Sequence, residues 1–285
     1  MAIEGVKNTK DLLGPDTRLC ALVIAPPKCG KTTLAASLDA LTRKHRGKPT
    51  LMLMTEVSEG GGSMSVTDQR VDYLSVKNWQ HMESLLAQLQ TDDEYGGIVL
   101  DNATDYYLNV VKPYALQFKS KEESSPWAAT RKLGVSLQSD YPLLTEFSRQ
   151  HMARLIRLTS DQTDAKFRKD LVVTALEKER KNREGTSQGF HPDLPGQLAG
   201  AVSAMFQSVL WIEKSAKVVD AGKPTARRLD VRTLLSGGDA ERDVMGDRMG
   251  LFPLESSLTD NEGKPIGLLP LYEQWRARLE QRKAA

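Results

Sequence analysis

Short uninterrupted apolar runs alternate along this chain with segments whose apolar residues recur every three or four positions, so strands and helices are expected in turn. Residues 19–25, Leu-Cys-Ala-Leu-Val-Ile-Ala, form the first run, closed by Pro26 and Pro27, and fit a strand buried on both faces. In 31–43, Leu34, Leu38 and Leu41 step at helical spacing directly after Gly30. Residues 50–56 predict a second strand, followed by a loop rich in glycine and serine at 57–65, and 70–76 a third. Met82, Leu85, Leu86 and Leu89 mark a helix over 79–89, and 97–101 is a fourth strand ending in Asp101. Helical spacing returns at 141–158, and 170–175 reads as a further buried strand. Two more strands, 208–213 and 227–235, and a terminal amphipathic helix, 269–281, complete the pattern. This alternation predicts one α/β domain over 1–285: a mainly parallel sheet with helices on both faces and antiparallel edge strands near the C-terminus.

Two segments break the periodicity. Residues 118–137 are polar and read as an exposed excursion, while 176–195 combine cations, glycines and prolines and read as a mobile basic loop. Composition adds limits. Hydrophobic residues make up 40% and charged residues 27%, as in ordinary globular chains. The net charge of +2 leaves any nucleic-acid contact to a local patch. No apolar run reaches the roughly 20 residues of a membrane helix and 1–13 lack a signal-peptide core, so a cytosolic location with no membrane contact is expected. Cys20 and Cys29 are expected as free thiols, and the four histidines show no metal-ligand spacing.

The chemistry concentrates between the first strand and the first helix. Pro26, Pro27, Lys28, Cys29, Gly30, Lys31, Thr32 and Thr33 follow the pattern G-x-x-x-x-G-K-[ST], with Ala25 standing where the first glycine falls. Such a loop turns backbone N–H groups toward phosphates, its lysine supplies a cation to the same oxygens, and its hydroxyl holds Mg²⁺. Thr32 and Asp101 are the expected metal ligands, with Lys31 on the phosphates of ATP. No residue that reads the base is identifiable, so GTP stays open beside ATP. Hydrolysis further needs a group to orient or deprotonate water, for which Glu56 and Glu59 are the candidates. Lys178, Arg180, Lys181 and Arg183 could neutralise nucleic-acid phosphates and Phe190 could stack on a base. The interleaved Glu177, Glu179 and Glu184 suit a solvated loop equally well.

Taken together, the loop, Met54-Thr55-Glu56, Ile98-Val99-Leu100-Asp101-Asn102 and the run 171–175 before a basic segment resemble the RecA-like P-loop ATPases carried by many bacteriophages. That group includes single-strand-annealing recombination proteins. The resemblance implies an ATPase acting on single-stranded DNA in recombination or replication, assembled as a homo-oligomeric ring or filament, with a phage single-strand-binding or replication protein as a further partner. It also implies that Gly246-Asp247-Arg248-Met249-Gly250 presents Arg248 as a finger to the neighbouring subunit's nucleotide. Leu176 stands where that group often has His or Gln, and Gly246 replaces a lysine. The alternative is a nucleotide-gated assembly protein with little or no turnover on DNA. A kinase role lacks a second substrate site, and a partition-type ATPase would need its signature lysine at Pro26.

Overall fold

The computed structural model describes residues 17–56, 70–122, 134, 136–160, 162–182, 184–195, 197–219, 227–237, 245–248, 252–260, 262 and 264–284. Ten strands form a mixed sheet: β1 (Cys20–Ala25), β2 (Thr50–Met54), β3 (Asp72–Ser75), β4 (Gly97–Asp101), β5 (Asp170–Lys181), β6 (Ser187–Pro192), β7 (Ser208–Val219), β8 (Arg227–Leu235), β9 (Gly246–Asp247) and β10 (Glu255–Ser257). Their spatial order is β10-β8-β7-β1-β5-β4-β2-β3, with β6 on β5 and β9 on β7. The strands from β7 through β1, β5, β4 and β2 to β3 pair in parallel, whereas β8 and β10 are antiparallel, as the alternating pattern near the C-terminus predicts.

Each apolar run feeds two cores because successive side chains of a strand point to opposite faces. Leu22, Ile24, Leu100 and Val173 face a layer built on Trp79, Met82, Tyr106, Leu144 and Leu155. Ala21, Val23, Val99 and Val172 face Leu34, Leu38, Leu41, Tyr272 and Trp275. The second layer joins the helices after the phosphate loop, α1 (Lys31–Ala36) and α2 (Leu38–Arg46), to the C-terminal helix Leu268–Ala284. Ser37 separates α1 from α2, where one continuous helix over 31–43 was expected. Its hydroxyl donates to the Leu34 carbonyl and accepts from Leu268 N at 2.8 Å. Gly47, at φ 68, closes α2 behind the basic last turn Arg43, Lys44, His45 and Arg46.

Two further sequence expectations need correction. The segment 118–122 is the end of a helix, Lys112–Glu122, that continues from Ala103–Tyr106 through a π-helical stretch Tyr107–Val111, so the polar excursion begins later. Residues 123–133 and 135 of that excursion lie outside the described residues. The basic segment 176–195 is not a loop: β5 runs on to Lys181 and turns back as β6, with Lys178 opposite His191 and Glu179 opposite Phe190. The short helix Leu198–Ser203 and strands β6, β9 and β10 also carry no clear periodicity of their own.

Candidate nucleotide site

β1 and β5 are adjacent, and β5 separates β1 from β4, so the carboxyl ends of three parallel strands open on one place. Ala25 remains in the strand, paired with Leu176, and its methyl is buried there. This extended backbone needs no glycine, which explains why the motif tolerates Ala25. At Gly30, by contrast, φ is 89° and a Cβ would lie 2.6 Å from Nη1 of Arg232. The conformation requires glycine, and a Cβ would in addition displace the end of the Arg232 side chain. Lys28 also takes a left-handed conformation, φ 62°, which costs a side-chain-bearing residue energy and is typical of ligand-binding turns.

Lys31 folds back over the strand end, where its Nζ donates to the carbonyls of Ala25 at 3.0 Å and Pro26 at 2.8 Å. Burial pulls its pKa down, and the Asp101 charge opposes that. Thr32 Oγ1 donates to Asp101 Oδ2 at 2.7 Å, while the Thr174 hydroxyl donates to Oδ1. Asp101 is almost completely buried, and burial pushes its carboxyl upward against the pull of those two hydroxyls and Lys31. Thr55 fixes the strand end: its N–H donates to the Asp101 carbonyl at 3.0 Å and its hydroxyl accepts from Asn102 N at 3.0 Å. The Asn102 side chain in turn caps the next helix, accepting from Asp105 N at 2.8 Å.

These groups line a groove of about 540 Å³, within the ordinary range for small-molecule sites. Pro27, Lys28, Gly30, Lys31, Thr32 and Thr33 form one side, and Glu56, Asp101, Asn102 and Asp105 the other, with Leu176 and Arg232 completing it. Lys31, Thr32, Glu56 and Asp101 therefore converge as expected. Pro26 takes part through its carbonyl. Cys29 instead turns into the core beneath α1, where burial raises its thiol pKa; both cysteines are free. Glu59 lies outside the described residues. The paired Thr32 and Asp101 oxygens suit a small hard cation such as Mg²⁺, and Lys31, bound to two carbonyls, suits phosphate oxygens.

Other expected site residues lie apart. Because strand side chains alternate, Lys178 and Arg180 share one face of the hairpin, and Lys181 joins Glu177 and Glu179 on the other. Lys178 pairs with Asp193 at 3.1 Å, and Lys181 with Glu179 at 3.0 Å. Phe190 packs against the core, half-buried, instead of standing free for stacking. Arg183, Met249 and Gly250 lie outside the described residues. Arg248 follows β9, which pairs with Ser208 and Val209 at the start of β7, and its guanidinium donates to the Ala204 carbonyl. Ser208 is level with Ala21, four residues before the phosphate loop begins, so Arg248 is remote from its own chain's groove. Sequence reasoning passed over Thr174, Asp105 and Arg232. A lone hydroxyl in the apolar run 171–175 was a signal for Thr174; nothing local pointed to Arg232, which topology brings to Gly30 from some 200 residues away.

No curated protein matches the sequence. Among solved structures, the flagellar accessory protein FlaH from Methanocaldococcus jannaschii is similar at 11% identity and a TM-score of 0.40, over 89% of this chain and 92% of that one. Residues 17–234, well over half of the chain, match the AAA domain family and take in the phosphate loop, Asp101 and Arg232. The fold is that of a P-loop NTPase, and the protein belongs to the AAA domain family.

Proposed function

We propose that this protein binds ATP with Mg²⁺ and hydrolyses it, and that its turnover serves an action on single-stranded DNA. The observation that carries the nucleotide reading is the convergence of Thr32 and Asp101 on one point beside Lys31, an ammonium held by carbonyls and, among the described residues, paired with no carboxylate. Lys31 and the loop N–H groups hold the β- and γ-phosphates, and Thr32 and Asp101 hold Mg²⁺, which when bound neutralises charge on the transferred group. Glu56 borders the same groove at the end of β2 and orients the attacking water.

The DNA part rests on the resemblance to phage RecA-like ATPases and on the hairpin, whose cations Lys178 and Arg180 share a face just beyond groove residue Leu176. In a homo-oligomer, Arg248 would serve the neighbouring subunit's nucleotide. The second reading, a nucleotide-gated assembly protein without DNA-driven turnover, draws support from the pairing of Lys178 and Lys181 with acidic neighbours. ATP turnover measured alone, with single-stranded DNA and with duplex, against Lys31→Ala, separates them. Stimulation by single strands is expected; binding of ATP without stimulation would move the reading to the assembly protein, and no binding at all would end both.

A further inference from the structure

The wall that β8 contributes to the groove has no part in that reading. β7 runs past the end of β1: Trp211 pairs with Ile24, and Lys214 stands three residues further on, roughly 10 Å at about 3.3 Å per residue. Antiparallel pairing then sets Arg232 of β8 opposite Lys214, beside the phosphate loop. Its guanidinium lies against Gly30, with Nη1 2.6 Å and Cζ 3.0 Å from the position a Cβ would take. Arg232 thereby borders the phosphate groove on one side and, on the other, a recess lined by Cys29, Thr33, Ser37, Leu258 and Pro265. Among the described residues its buried Nε has no hydrogen-bond partner and no carboxylate forms an ion pair with it. A buried donor on a cation is costly when left unmet. The backbone of Arg232 is secured independently, accepting from Leu258 N at 2.8 Å and donating to Thr259 Oγ1 at 3.3 Å, so the side chain is not needed to hold the strand.

The geometry points to Arg232 as a phosphate-contacting residue supplied in cis, placed where a nucleotide crosses Gly30 from groove to recess. A phosphate group beside Gly30 offers this guanidinium the charge and the forked acceptor geometry that arginine favours. The inference rests on the nucleotide-binding reading and departs from the finger in trans expected of Arg248: here the cation comes from the same chain as the loop it closes. ATP and ADP affinities in Mg²⁺ are measured by calorimetry for wild type, Arg232→Ala and Arg232→Lys, with melting curves of the nucleotide-free proteins. Arg232→Ala should weaken ATP at least tenfold with an unchanged melting curve, and Arg232→Lys should recover part of the loss. Wild-type affinity in Arg232→Ala, beside the expected loss in Lys31→Ala, would overturn the inference alone; failure of wild type to bind would overturn the nucleotide reading as well. Mixing Arg232→Ala with Lys31→Ala, at an ATP concentration near the wild-type Kd, tests the cis arrangement: turnover should not exceed that of the two variants measured alone, and a gain on mixing would assign Arg232 to a neighbour's site.

Discussion

The two ends of the buried half of β5, residues 170–175, bury charge in opposite ways. At its start, Asp170 is wholly buried and fully engaged, accepting from Leu19 N at 2.7 Å and from Arg46 Nε at 2.9 Å, while Arg46 reaches on to the Tyr272 hydroxyl at 2.7 Å. Next to it, Lys169 donates to the Asp92 carboxylate at 2.9 Å and to the carbonyls of Asp92 and Tyr95. Around Thr174, near the far end of that buried half, Asp101 is held by hydroxyls, Lys31 by carbonyls, and Arg232 Nε by no partner among the described residues. Burial is similar; the wiring differs. A closed network ties strands to helices, whereas charges held by neutral partners keep their capacity for an incoming ion.

That contrast should survive mutation in a graded way. The largest effect is expected at the closed end: Asp170→Ala strands Arg46 and should cost about 3–5 kcal/mol in denaturant unfolding. The folded fraction should still bind nucleotide normally, and an equal loss of affinity would erase the distinction between the ends. Next comes Lys31→Ala, for which ATP affinity should fall about a hundredfold, about 2.7 kcal/mol, with the melting temperature unchanged or raised. A collapsed melting curve would put Lys31 with the scaffold.

Asp101→Asn sharpens the comparison through pH. Burial raises the folded-state pKa of Asp101 above 3.8, so the folded protein holds this proton more tightly than the unfolded chain. Stability from this group is therefore present below pH 3.8 and lost as pH rises through the raised value. Asp101→Asn should gain on wild type across that rise in urea unfolding, while losing Mg²⁺-dependent turnover; a constant difference at all pH values would contradict the assignment. The smallest effect is expected on the hairpin, where Lys178→Ala with Arg180→Ala should stay within about 0.5 kcal/mol per substitution. Any stimulation by single-stranded DNA should fall in that double variant, and full retention would remove the hairpin from the DNA reading.

Much of this was legible in the sequence because the central strands are buried on both faces and so read as plain apolar runs. The phosphate loop and Asp101 were legible for the same reason, each standing where a run stops. The hairpin was misread because charge and glycine in 176–195 resemble loop composition, while its pairing is set by backbone hydrogen bonds, among them Asn182 N to the Thr186 carbonyl, and not by apolar alternation. Arg232 was illegible for a different reason. It sits in a strand of mixed polarity, and its meaning comes only from β7 lying beside β1, a neighbour relation that no local pattern encodes.

The contact between Ser37 and Leu268 has a practical corollary for anyone trimming this protein. The family match stops at residue 234, yet the buried side chains of Leu258, Leu268, Leu271, Tyr272 and Trp275 lie beyond it, roofing the hydrophobic layer under the phosphate-loop helix. An expression boundary drawn at the edge of the match would unroof that layer and take away the Leu268 N–H that donates to the Ser37 hydroxyl. The homology boundary falls some forty residues short of Trp275, which this core still needs.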